Sequence, residues 1–186
     1  AFSKTVGLKH SLMVNSGSSA NLVLLAAAKK LFEWDDNDEI IVSVVGFPTT
    51  VAPILQNNLK ASFIDIEMNS LNFDITKIEE KITSKTKAVF LSPVLGNPVD
   101  MDFLKELCDW HKIKLLLDGC DSLGTEWDGV PLSKYGTAST CSFYPAHHIT
   151  TGEGGMVSSD NKELIDMARS IAWWGRACYC VGSCNL

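Results

Sequence analysis

The near-continuous apolar runs Ile40 to Val45 and Leu115 to Leu117 constrain this chain most. A strand with one face in water alternates apolar and polar residues, and these runs do not alternate. They predict a sheet covered on both faces, which is the parallel arrangement. Amphipathic segments alternate with the apolar runs in the manner of a βαβ chain. Strands are expected at Ser11 to Val14, Glu39 to Val45, Ala61 to Ile66, Ala88 to Ser92 and Lys114 to Asp118, with shorter ones at Thr140 to Tyr144 and Met156 to Ser159. Helices are expected at Ala20 to Phe32, Thr49 to Asn57, Ile75 to Lys81, Met101 to His111 and Lys162 to Trp174. The connections are short and free of repeats, so one α/β domain is expected.

With 186 residues and 46% hydrophobic content, the chain can bury one sizeable core. No apolar run reaches the roughly 18 residues of a membrane span, and the start Ala1-Phe2-Ser3-Lys4 lacks the apolar region of a signal peptide. The net charge of −6 carries no basic stripe, which argues against nucleic-acid binding. A cytoplasmic location with reduced thiols fits six cysteines that follow no secretion signal. The missing initiator Met and the abrupt end at Cys184-Asn185-Leu186 predict a piece of a longer protein.

In parallel sheets ligands sit beyond the carboxyl ends of the strands, and the chemistry-bearing residues converge there. Asn15-Ser16-Gly17-Ser18-Ser19 lies between a strand and a helix, as a phosphate cup or as a plain N-cap by Ser18 or Ser19; Gly17 is expected to take a φ that other residues avoid. Asp118 ends an apolar strand. It is either the carboxylate partner of a buried cation or a helix cap. Phe47, between Gly46 and Pro48, is a stacking ring or a core residue. His147 suits proton abstraction near neutral pH, while His148 is expected to be structural or exposed. Glu153 reads as a turn element. Cys178-Tyr-Cys180, with 57 residues between Cys120 and Cys178, suggests zinc or unliganded thiols on spacing alone. Cys108 reads as a small buried hydrophobe.

Asp118-Gly-Cys-Asp121, Gly46-Phe-Pro-Thr-Thr50, Leu95-Gly-Asn-Pro98, Ser142 to Gly155 and Trp174-Gly-Arg-Ala-Cys-Tyr-Cys180 together resemble the DegT/DnrJ/EryC1/StrS family of sugar aminotransferases. The resemblance implies a large domain of the fold-type I pyridoxal-phosphate transferases, mostly parallel with helices on both faces. It also implies that residues 1–186 are part of this cofactor-binding domain, without its N-terminal segment and the C-terminal small domain. Within the family the chain looks like the CDP-4-keto-6-deoxy-D-glucose 3-dehydrases of lipopolysaccharide 3,6-dideoxyhexose synthesis. His147 stands where the family keeps its Schiff-base lysine, and an imidazole moves a proton but cannot form an imine.

By the same resemblance, Gly17, Ser18, Ser19, Phe47, Asp118, Asp121 and Ser142 hold pyridoxamine phosphate (PMP), and His147 is the base. Asp121 departs from the family's usual His or Gln. Cys120, Cys178 and Cys180 are ligands of a [2Fe–2S] cluster, whose fourth ligand lies beyond Leu186 or is Cys184. The implied partners are a nucleotide-linked sugar, a separate electron-donating reductase and a second copy of the chain. A pyridoxal-phosphate (PLP) nucleotide-sugar aminotransferase of the same family is the alternative.

Overall fold

A computed structural model describes residues 1–177, so Cys178, Cys180 and Cys184 lie outside the described residues. Its strands are β1 His10–Val14, β2 Glu39–Ser43, β3 Lys60–Ile64, β4 Thr86–Leu91, β5 Lys114–Asp118, β6 Glu126–Trp127, β7 Val130–Pro131, β8 Ala138–Ser142 and β9 Gly155–Ser159. The helices are α1 Phe2–Thr5, α2 Gly17–Leu31, α3 Pro48–Gln56, α4 Ile78–Lys81, α5 Met101–Trp110 and α6 Lys162–Ala172.

Seven strands form one sheet in the order β1-β9-β8-β5-β4-β2-β3. The β3-β2, β2-β4, β4-β5 and β5-β8 pairs are parallel. β9 is antiparallel to both neighbours, β8 and β1. The other six strands therefore point the same way, and the mostly parallel expectation holds.

Burial on both faces explains the unbroken apolar runs. Ile40, Val42, Ala88, Phe90 and Leu116 face one core with Leu24 and Leu25 of α2, Ile54 of α3, and Leu164 and Ile165 of α6. Their neighbours Ile41, Val89, Leu91, Leu115 and Leu117 face the opposite core with Ile78 of α4 and Met101, Leu104 and Cys108 of α5. The two-residue side-chain period of a strand sends successive residues to opposite layers. Burying each of these Leu, Ile or Phe side chains stabilises the fold by about 1.5–3 kcal/mol. Cys108 is a packed core residue, as expected, and burial pushes its thiol up to about 12.

Helix α2 begins at Gly17, three residues before the expected start, because Ser16 is the cap. The Ser16 side chain accepts the Ser19 N–H at 3.1 Å, a role expected of Ser18 or Ser19. Gly17 is helical and outside the left-handed region, so it is not required for an unusual φ. It is required for space: a Cβ there would lie 2.6 Å from the Ser142 Cβ and 3.0 Å from the Cys120 Sγ. Asp128 and Gly129, with φ of 48° and 76°, turn the small β6-β7 hairpin, which was not expected.

Candidate active site

The carboxyl ends of β2, β5 and β8, the start of β9 and the N-terminus of α2 meet at one rim. A cavity of about 590 Å³ opens there, lined by residues that include Ser16, Gly17, Ser18, Phe47, Asp118, Cys120, Asp121, Ser142 and His147. All lie in segments expected at the site, Ser16 as part of the Asn15 to Ser19 turn. Ser19 is not among the lining residues; its N–H and hydroxyl face Ser16. Thr49, Ser92, Tyr144, Ala146 and Glu153 complete the lining.

Asp118 is 3% exposed and caps no helix. Its Oδ2 accepts from Thr50 Oγ1 at 2.6 Å and Asn21 Nδ2 at 2.8 Å. Asn21 is itself fixed, since its Oδ1 accepts from Thr140 Oγ1 at 2.6 Å and its Nδ2 also donates to the Thr49 carbonyl at 3.1 Å. Oδ1 of Asp118 receives the Cys120 N–H at 3.3 Å. An ionised carboxylate has about four acceptor sites, so this oxygen retains capacity for a cationic N–H donor from the cavity. Asn21, Thr50 and Thr140, each 1–2% exposed, were missed by sequence reasoning. Their signal was available, because each is a polar residue at a core-facing position of an apolar element.

This network predicts a specific loss. Asn21→Leu removes a donor to Asp118 and the nearer of two acceptors of Thr140, leaving it the Leu117 carbonyl at 3.4 Å. Leaving buried polar groups unpaired costs about 1–3 kcal/mol, so urea unfolding of the full-length apoprotein should show a loss of that size with an unchanged slope.

His147 follows β8 in a turn closed by its own N–H donating to the Tyr144 carbonyl at 3.0 Å. Its Nδ1 lies 3.1 Å from Asp121 Oδ1, and the Tyr144 ring meets the imidazole edge-on at 6.5 Å between centroids. His148 is exposed, as expected. Phe47 stands at the mouth, 66% exposed, and is not a core residue. No lysine is among the described residues that line the cavity.

The N-terminus of a 15-residue helix at this rim favours an anion. Together with the unsaturated Asp118 oxygen and the Phe47 ring, it fits a phosphorylated pyridine cofactor. Asp118 would hold the ring nitrogen and the Ser16 to Ser18 segment the phosphate. The cluster ligands cannot be brought together in the same way, since Cys178 and Cys180 lie outside the described residues. Among the described residues there is no group of three or more His, Cys, Asp or Glu arranged to hold a metal ion. The Cys120 thiol is pushed up strongly, by burial first and then by Asp118. Burial pushes the neighbouring Cys141 up to about 12.

The mostly parallel sheet with its helices has the PLP-dependent aminotransferase fold of its structural neighbours. The chain belongs to the DegT/DnrJ/EryC1/StrS aminotransferase family, whose sequence profile matches residues 1–180. Lipopolysaccharide biosynthesis protein RfbH of Salmonella typhimurium is 41% identical over 184 residues, covering 97% of this chain and 42% of that protein. The structure of the E. coli GDP-4-keto-6-deoxy-D-mannose-3-dehydratase with bound hydrated PLP superposes with a TM-score of 0.87 at 38% identity, over 91% of this chain and 44% of that one. Helicobacter pylori PseC, an aminotransferase of pseudoaminic acid biosynthesis, gives 0.85 at 30% identity, over 90% and 44%. The chain spans less than half the length of these relatives. No described helix is long and apolar enough to cross a membrane.

Proposed function

We propose that the full-length protein is a pyridoxamine-phosphate-dependent 3-dehydratase that removes the C3 hydroxyl of a nucleotide-linked 4-keto-6-deoxyhexose, in 3,6-dideoxysugar and lipopolysaccharide O-antigen biosynthesis. The observation that carries this reading is His147 lining the cavity that holds Asp118, with no lysine among its described walls. Greater identity to the 3-dehydratase (38%) than to the aminotransferase (30%) agrees with it. The bound cofactor would supply an amine to join the sugar ketone and a ring to accept electrons as the hydroxyl departs.

The chain's own residues divide the remaining work. Asp118 keeps the ring nitrogen protonated by offering it an anion in a dry wall. The Ser16 to Ser18 segment at the start of α2 anchors the phosphate, and Phe47 covers a ring face. His147 takes up and returns a proton at one imidazole nitrogen, which an amine tethered to the cofactor could not do in the same state. The exposed apolar residues Val44, Val45, Phe47, Tyr144 and Ile149 near the rim support a homodimer that closes the site. A cytoplasmic location completes the reading.

The Cys120, Cys178 and Cys180 spacing supports a [2Fe–2S] cluster that passes two electrons, one at a time, from a separate reductase to the dehydrated sugar. Iron and acid-labile sulfide in the purified full-length protein test this part alone. His147→Lys tests the rest. Removing a general base costs about 10²–10⁴-fold in rate, so dehydration should fall by that much while the cofactor becomes covalently trapped by borohydride. Dehydration at the parental rate would overturn the assignment of the base. Retained amino transfer in the parent would favour the aminotransferase reading.

A further inference from the structure

We propose that Asp121 is a positioning residue that fixes the His147 ring with its proton on Nδ1 and leaves Nε2 as the proton acceptor. This inference rests on the assignment of His147 as the base. Asp121 enters the family resemblance only as a ring-contact position that departs from the usual residue, and the geometry gives it another partner. Its Oδ1 lies 3.1 Å from His147 Nδ1. The contact is one of proximity rather than a formed hydrogen bond; a carboxylate can only accept, so its field favours hydrogen on the nearer nitrogen and leaves the other as the basic one.

Two further contacts hold the same ring. The Tyr144-His147 turn fixes its backbone, and the Tyr144 ring packs against it edge-on. Asp121 is anchored on a separate element, three residues past Asp118 in the turn after β5. Two loops from neighbouring strands thereby lock one side chain at the cavity wall. The Asp121 side chain is 55% exposed and that of His147 23%. A contact this open contributes little to stability. Its effect is therefore orientation, which separates it from a structural role.

The test uses full-length protein labelled with ¹⁵N-histidine, the His147 signals being assigned by their loss in His147→Asn. In the parent, His147 should show a protonated Nδ1 and an unprotonated Nε2. In Asp121→Ala the two nitrogens should average or exchange roles, and Asp121→Asn, whose amide oxygen can still accept, should recover part of the parental pattern. With PMP and CDP-4-keto-6-deoxy-D-glucose as probes, Asp121→Ala should lower kcat by about 10²-fold, with KM and the PMP dissociation constant within about twofold of the parent. An unchanged nitrogen pattern in Asp121→Ala overturns the proposal, as does a loss of PMP affinity with kcat intact, which would make Asp121 a ring contact. If the parent leaves the sugar probe untouched, the dehydratase reading fails, and the nitrogen pattern still decides Asp121.

Discussion

Asp118→Asn is expected to weaken PMP binding by about 10²- to 10⁴-fold, because stripping one partner from a buried charge pair costs about 3–5 kcal/mol. The substitution is nearly isosteric, so the effect is chemical. The asparagine oxygen can keep both donors that now reach Oδ2, Thr50 Oγ1 and Asn21 Nδ2. Its NH2 group then occupies the place of Oδ1, where the Cys120 N–H and a protonated ring nitrogen both need an acceptor. Two donors face each other. The apoprotein should lose much less, because without PMP only the long Cys120 N–H contact of 3.3 Å is given up, about 0.5–1.5 kcal/mol. Titration of both proteins with PMP, followed by fluorescence, alongside apoprotein melting curves, separates the two effects. Equal affinity in the two proteins would remove Asp118 from the cofactor site.

Gly155→Ala should be the most damaging small substitution in the sheet. A Cβ at Gly155 would sit 2.1 Å from the Ser16 carbonyl oxygen and 2.3 Å from its carbon, both backbone atoms that cannot rotate away. Gly155 pairs with Val14 on one side and Ser142 on the other, so the strand has nowhere to retreat. Overpacking of this kind costs about 3 kcal/mol, or roughly 2–4 °C of melting temperature for each kcal/mol in a protein of this size class. Gly46→Ala is the control. Its Cβ would meet nothing within 4 Å, and its stability should stay within about 0.5 kcal/mol of the parent. Similar melting temperatures for the two variants would refute the close approach of β9 to the start of α2.

The sheet was legible because its strands advertise burial on both faces. Lys114–Asp118 was placed without error, and Glu39–Ser43 stopped two residues short of its apolar run. Val44 and Val45 continue the hydrophobic pattern but are exposed at the rim, a fact that only tertiary context decides. The reversed direction of β9 was not legible, because Met156 to Ser159 reads the same in either orientation. The β6-β7 hairpin carried an Asp128-Gly129 signal, but each strand has two residues and no periodicity to detect.

Within the candidate site, Asp118, His147, Phe47 and the Ser16 to Ser18 turn stand out in the sequence by their own chemistry, and the fold brings them to one cavity. The residues that act through others were harder. Asn21, Thr50 and Thr140 lie 97, 68 and 22 positions from Asp118, and only folding brings them to it. The contact of Asp121 with His147 likewise joins two segments that nothing local connects.

Because β9 runs against β8, the chain leaves the sheet after Ser142 and rejoins it directly alongside at Gly155. The intervening loop is clamped at its base by the Phe143 N–H to Gly154 bond of 2.9 Å and the Thr151 N–H to Phe143 bond of 3.1 Å. His147 thus sits on a cassette whose ends are fixed independently of its middle. Such a cassette lets evolution exchange the reactive group at its tip while the scaffold's hydrogen bonds stay in register, so new chemistry can arise without renegotiating the fold.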